Sequence, residues 1–255
     1  MNNNYDYLVD THFHLDLTQD IETILEDAEK NNVKKFIISG CDKKSIRDGI
    51  EIVNRYPNVY MTIGYHPDEV DNLKDEDLDY LEKLLNNKKV IGIGEIGLDY
   101  YYNDSNTDLQ KEWFKKQIEL AIKHRLPIVV HTREATEDTY EILKEYNVKG
   151  VLHCYSGSLE MAKLYMEKGF FFGIGGVLTF KNSKLRDIVK YIPIQNLILE
   201  TDSPYLAPEP KRGSVNEPKN IKIIANTLST VKELPIEKIT DYTTGNVYRL
   251  FDLMK

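Results

Sequence analysis

The chain has 255 residues, of which 41% are hydrophobic and 29% charged, a balance that supports a sizeable buried core and excludes disordered and collagen-like classes. Thirty-three basic against forty-one acidic side chains leave a formal charge of −8. That argues against a long non-specific grip on a nucleic-acid backbone, which relies on a dense Lys/Arg surface.

No apolar run approaches the roughly 18 residues of a membrane span. The polar start Met1–Tyr5 lacks the regions of a signal peptide, and Cys41 and Cys154 are too few for a disulfide framework. The expectation is a cytoplasmic chain with no membrane partner, a monomer by default.

Short β-rich runs alternate with amphipathic stretches along the whole chain. Tyr7–His12 reads as the first strand, and a helix over Ile21–Ala28 follows, with Thr18 as its N-cap. Val33–Ser39 is the second strand, with a helix near Lys44–Arg55; Val59–Gly64 is the third, with a helix over about 75–85. The fourth strand, Val90–Ile96, leads into a tyrosine-bearing loop over 97–107 and a helix over 109–124. Pro127–His131, Gly150–His153, Phe170–Ile174 and Asn196–Thr201 complete the set, with helices over 135–146 and 159–168. A proline-rich loop over 204–218 precedes terminal helices near 219–231 and 244–253. Eight strands with helical stretches between them predict an α/β fold, a TIM-type (β/α)8 barrel, with residues 1–255 forming one domain. Gly92 and Gly94, and beyond the seventh strand Gly173, Gly175 and Gly176, are expected to leave room for other groups inside the barrel.

Residues able to bind metal fall at the carboxyl ends of these strands. His12 and His14, two residues apart, share one strand face, and Asp10 on the same face could orient one of them. His66 follows the third strand, Glu95 ends the fourth, His131 the fifth and His153 the sixth, and Asp202 follows the eighth. In such barrels that rim gathers distant residues into one crater. His124, at a helix end, reads as a solvated or capping side chain, and Cys154 as a small hydrophobe on the opposite strand face from His153.

Four imidazoles and two carboxylates exceed the needs of one tetrahedral ion, but two ions sharing a carboxylate would use them all. His12, His14 and Asp202 are assigned to one ion, His131 and His153 to the other, and Glu95 to both. The mixed nitrogen and oxygen set suits two divalent ions drawn from Mg, Mn, Zn or Fe.

These residues sit in blocks that resemble the TatD-related metal-dependent hydrolases of the amidohydrolase superfamily. The blocks are Asp10-Thr-His-Phe-His-Leu-Asp16, Gly64-Tyr-His-Pro67, Gly94-Glu-Ile-Gly-Leu-Asp-Tyr100, Pro127-Ile-Val-Val-His-Thr-Arg133, His153-Cys-Tyr-Ser-Gly157, Glu200-Thr-Asp-Ser-Pro-Tyr205, Arg212-Gly-Ser-Val-Asn-Glu-Pro218 and Gly245-Asn-Val. The resemblance implies a barrel with a divalent-metal site and hydrolysis, most often of DNA. It places the metal ligands on His12, His14, Glu95, His131, His153 and Asp202, and a substrate-side histidine on His66. Lys211 stands where relatives often carry His, and Ser214-Val215 where they often carry basic residues; Lys211 and Arg212 still offer cations to an anionic substrate.

The expected activity is a deoxyribonuclease in which a hydroxide activated by the metals attacks the phosphodiester, with Glu95 and Asp202 as catalytic carboxylates and His66 and Arg212 on the DNA. Tyr100, Tyr101, Tyr102, Tyr155 and Tyr205 follow strand ends and could stack on bases. The same centre could serve an amide or ester hydrolase such as an aminoacyl-tRNA deacylase. A non-catalytic metal-binding module is disfavoured by open, oxygen-bearing ligation.

Overall fold

In a computed structural model, which describes residues 4–15, 20–101 and 104–251, eight parallel strands form one sheet in chain order. They are β1 Leu8–Phe13, β2 Val33–Gly40, β3 Val59–Ile63, β4 Val90–Asp99, β5 Ile128–Arg133, β6 Gly150–Leu152, β7 Phe171–Ile174 and β8 Leu197–Leu199. The helices between and after them are α1 Ile21–Lys30, α2 Lys43–Arg55, α3 Asp75–Leu84, α4 Thr107–His124, α5 Thr136–Lys144, α6 Leu159–Glu167, α7 Leu185–Tyr191, α8 Ile221–Lys232 and α9 Ile236–Leu250.

Strand side chains alternate, so each strand serves two cores. Val9, Ile37, Ile91, Val129, Val151, Phe171 and Ile198 point inward and pack with Val247, Leu250 and Phe251 of α9 and its end, which plug the amino-terminal mouth. Their strand neighbours, such as Phe36, Ile38, Val130, Leu152 and Phe172, face the surrounding helices. The apolar plug leaves the carboxyl-terminal half of the interior for polar side chains.

The sheet closes where β1 meets β8. Thr11 Oγ1 donates to Leu199 O (2.9 Å), and Asp10 accepts from Thr201 N (2.9 Å) and Thr201 Oγ1 (2.5 Å). Beyond them Asp202 N donates to His12 O (2.9 Å) and His14 N to Ser203 O (2.7 Å).

Several sequence expectations change. Thr18 lies outside the described residues, and Asp20 caps α1 by accepting from Glu22 N and Thr23 N. β4 runs three residues past Ile96 to Asp99. α7 was not foreseen, and α9 starts at Ile236 rather than 244. Its polar middle obscured the helical spacing, yet those groups are satisfied: Thr244 Oγ1 donates to Tyr7 O (2.7 Å) and Asn246 Nδ2 to Leu197 O (2.6 Å). Gly94 leaves room as expected, since a Cβ there would lie 2.5 Å from the Cβ of inward-facing Val129.

Candidate metal centre

Above the apolar plug, His12 in β1, Glu95 in β4 and His131 in β5, with His14 and His153 just past β1 and β6 and Asp202 after β8, carry the expected ligands. Two backbone irregularities help aim them. In β1, Asp10 pairs with Phe36 and Phe13 with Ile38, so one extra residue is accommodated. This bulge flips the alternation, turning His12 inward while leaving Asp10 on the other side. Asp10 therefore binds Thr201 and the His12 backbone and orients neither imidazole, contrary to the sequence expectation. A matching irregularity in β4 between Ile93 and Ile96 frames Glu95. Asp202 has a left-handed backbone, φ 56°, uncommon outside glycine but tolerated by Asp.

Glu95, 3% exposed, is the hub. Its Oε2 lies 3.3 Å from His12 Nε2 and 3.8 Å from His14 Nε2. Its Oε1 lies 2.8 Å from His131 Nδ1, 3.4 Å from His153 Nε2 and 3.8 Å from His66 Nε2. Asp202 Oδ1 sits 3.3 Å from His14 Nε2 and 3.8 Å from His12 Nε2. All six expected ligands and His66 thus converge. Glu95 Oε2 faces His12 and His14, and its Oε1 faces His131, His153 and His66.

Two carboxylates escaped the sequence reading. Asp99 Oδ2 is 2.9 Å from His131 Nε2; residues 95, 97 and 99 share a face, so extending the fourth strand would have found it. Glu200, 1% exposed, lies 3.1 Å from His153 Nδ1; period-two alternation past the inward Ile198 was the signal that could have found it. Cys154 does not pack on the opposite face: its backbone is left-handed, φ 46°, and its sulfur comes within 4.8 Å of donor atoms of His153 and Glu200. Arg212 is exposed, with its guanidinium 4.4 Å above the Phe180 ring rather than among the ligands. Tyr155 is buried and donates to Ser158 O, and Tyr100 donates to Asp138 (2.7 Å). Tyr101 and Tyr205 stay exposed; Tyr102 lies outside the described residues. His124 pairs with Glu82 at 2.7 Å, as a helix-end side chain should.

The electrostatics test whether cations fit. Burial disfavours the charged form of Glu95, but His153 and His12 beside it hold its carboxyl well below the usual range. Burial likewise opposes ionised Asp202, and His14 and His153 outweigh it. Burial opposes protonation of His131 and His153, yet Asp99 and Glu95 lift His131 to about 9, and Glu200 and Glu95 lift His153 to about 10. His14 also rises well above its ordinary value against burial, through Asp202 and Cys41. His12 falls, first by burial and then by His153, whose ring stacks on it at 3.8 Å. The buried carboxylates therefore demand positive charge, and protons on imidazoles supply it. His12 Nε2 and His14 Nε2 face each other at 3.3 Å, an arrangement suited to a cation between them. The donor set fits divalent metal.

A model of the TatD related DNase family matches residues 9–252. The chain belongs to that family. It is 41% identical over 251 residues to the uncharacterized metal-dependent hydrolase YabD of Bacillus subtilis (strain 168), covering 96% of this chain and 98% of that one. The crystal structure of YjjV, a TatD homologue from Escherichia coli K12, superposes with a TM-score of 0.91 at 29% identity, over 96% of this chain and 98% of that one. A TatD family hydrolase from Entamoeba histolytica follows at 0.87 and 29%, over 97% and 98%. As a member of the TatD-related family this chain is a metal-dependent hydrolase with the TIM-type barrel expected of it.

Proposed function

We propose that the protein is a deoxyribonuclease that hydrolyses DNA phosphodiesters at a two-ion centre held by His12, His14, Glu95, His131, His153 and Asp202. The observation that carries this reading is the two-sided use of Glu95, whose Oε2 serves the His12 and His14 side while its Oε1 serves the His131 and His153 side. Divalent ions held by these six residues would lower the pKa of an attacking water and offset charge on the phosphate oxygens.

The protein's own groups do the rest. Asp202, kept ionised beside His14, accepts the proton of the attacking water at a carboxylate oxygen. His66 Nδ1 accepts the Asp68 backbone N–H at 3.3 Å, an arrangement that puts the ring's N–H on Nε2, which faces the centre 3.8 Å from Glu95 Oε1. That N–H donates to a phosphate oxygen as its charge grows. Tyr205, exposed and edge-on to His14 at 5.8 Å, offers a face to a base. Arg212, stacked on Phe180, meets the next phosphate.

The same centre is chemically competent for ester carbonyls, so the test compares a 3′-labelled oligonucleotide with an aminoacylated tRNA under added Mg, Mn, Zn or Fe. Cleavage of the oligonucleotide that falls by about 10³-fold or more in Glu95→Ala and Asp202→Ala, with both variants folded, is expected. Deacylation without DNA cleavage would overturn the nuclease assignment.

A further inference from the structure

β7 and β8 lie side by side, and Phe171 and Ile198 belong to the interior plug. Two residues further along the chain in each case, in β7 and just past β8, period-two alternation brings Gly173 and Glu200 to the next interior level. A Cβ on Gly173 would lie 2.1 Å from Glu200 Oε2 and 2.6 Å from its Cδ. The carboxylate thus occupies the volume that any side chain at position 173 would need.

Glu200 is buried, and among the described residues its ion-pair contact is His153, not a lysine or arginine. Its Oε1 accepts the Cys154 backbone N–H at 2.5 Å and lies 3.1 Å from His153 Nδ1. The His153 contact is close but off the line of a hydrogen bond, and Nδ1 has no other protein partner. The opposite nitrogen, Nε2, points at Glu95 Oε1 from 3.4 Å. A buried carboxylate against the far nitrogen of a ligating imidazole fixes the ring's orientation and raises its basicity.

We propose that Glu200 is the positioning carboxylate of His153, and that residue 173 must be glycine because Glu200 fills its side-chain space. This rests on the metal-centre reading above. The rival account is that Glu200 only holds the left-handed turn at Cys154. Glutamine separates the two, because it keeps an oxygen for the Cys154 N–H but carries no charge.

The experiment titrates Mn2+ alone into the metal-stripped full-length protein by calorimetry at neutral pH and records the melting temperature of each variant. In Glu200→Gln, affinity for one ion is expected to fall about tenfold or more, with the other ion and the melting temperature little changed. Gly173→Ala should weaken the same ion without altering any carboxylate. In a Glu200→Ala background it should add no further loss, because the space it invades is already vacant. Full rescue of Mn2+ binding by glutamine would overturn the proposal, as would losses from Gly173→Ala and Glu200→Ala that multiply. Should Glu200→Ala fail to fold, Glu200→Gln and Gly173→Ala still decide it. A parent protein that takes up no Mn2+ would bring down the metal-centre reading and this proposal together, whereas a binding parent with unchanged variants removes Glu200 alone.

Discussion

His131 and His153 make the metal-free centre a proton trap. Their folded values of about 9 and about 10 stand above the ordinary 6.5 because Asp99, Glu200 and Glu95 outweigh burial. The stability their protonation contributes is therefore fully present below about pH 6.5 and is lost as pH rises through about 9 to 10. Metal-stripped protein should melt at lower temperature at pH 10 than at pH 7. Metal binding runs the other way, because each ligating imidazole must release its proton, so Mn2+ affinity should strengthen between pH 6 and 8. Calorimetry in buffers of different ionisation enthalpy would count the released protons, and zero release would contradict the protonated network.

At the scale of elements, strand ends and seams do the positioning. The seam between β1 and β8 depends on Asp10 accepting from both Thr201 N and Thr201 Oγ1. Asp10→Ala leaves the buried Thr201 N–H unpaired, while Thr201 Oγ1 keeps Ser203 Oγ at 3.2 Å, so a loss of about 1–3 kcal/mol is expected from urea unfolding. Metal affinity should weaken with it, since Asp202 N is bonded to His12 O at the same seam. The ligands were legible in the sequence because a barrel delivers strand carboxyl ends to one rim, whatever the details between. Their supports were less so. Asp10 was placed on the wrong face because a bulge in β1 inverts alternation, which no local propensity announces. Asp99 was lost by ending the fourth strand early. Glu200's contacts form only in the fold, with Gly173 of β7 and His153 just past β6. Helix α9 began later in the reading than in the molecule because its threonines and Gly245 are poor helix formers, held there by tertiary contacts.

Across the whole molecule the charge of −8 is unevenly spread along the chain. Between β3 and the end of α3 stand Asp68, Glu69, Asp71, Asp75, Glu76, Asp77, Asp79 and Glu82 against Lys74 and Lys83. Outside the metal centre, the segments after β7 and β8 carry Lys181, Lys184, Arg186, Lys190, Lys211, Arg212 and Lys219 against Asp187, Glu209 and Glu217, and β7 is four places from β3 in the ring. A polyanion should approach over the basic side and make few phosphate contacts. The slope of log affinity against log salt is about −0.7 per contact for a single strand, and Arg212→Ala should lower its magnitude by about one contact. An unchanged slope would remove Arg212 from the DNA path. The closure of the sheet carries a last consequence for biosynthesis. His12 and His14 leave the ribosome early, whereas Asp202, on the far lip of the same join, emerges almost two hundred residues later. A nascent chain that stops short of Asp202 holds five of the six proposed ligands, so on the two-ion reading the centre is completed only when the last strand is in place.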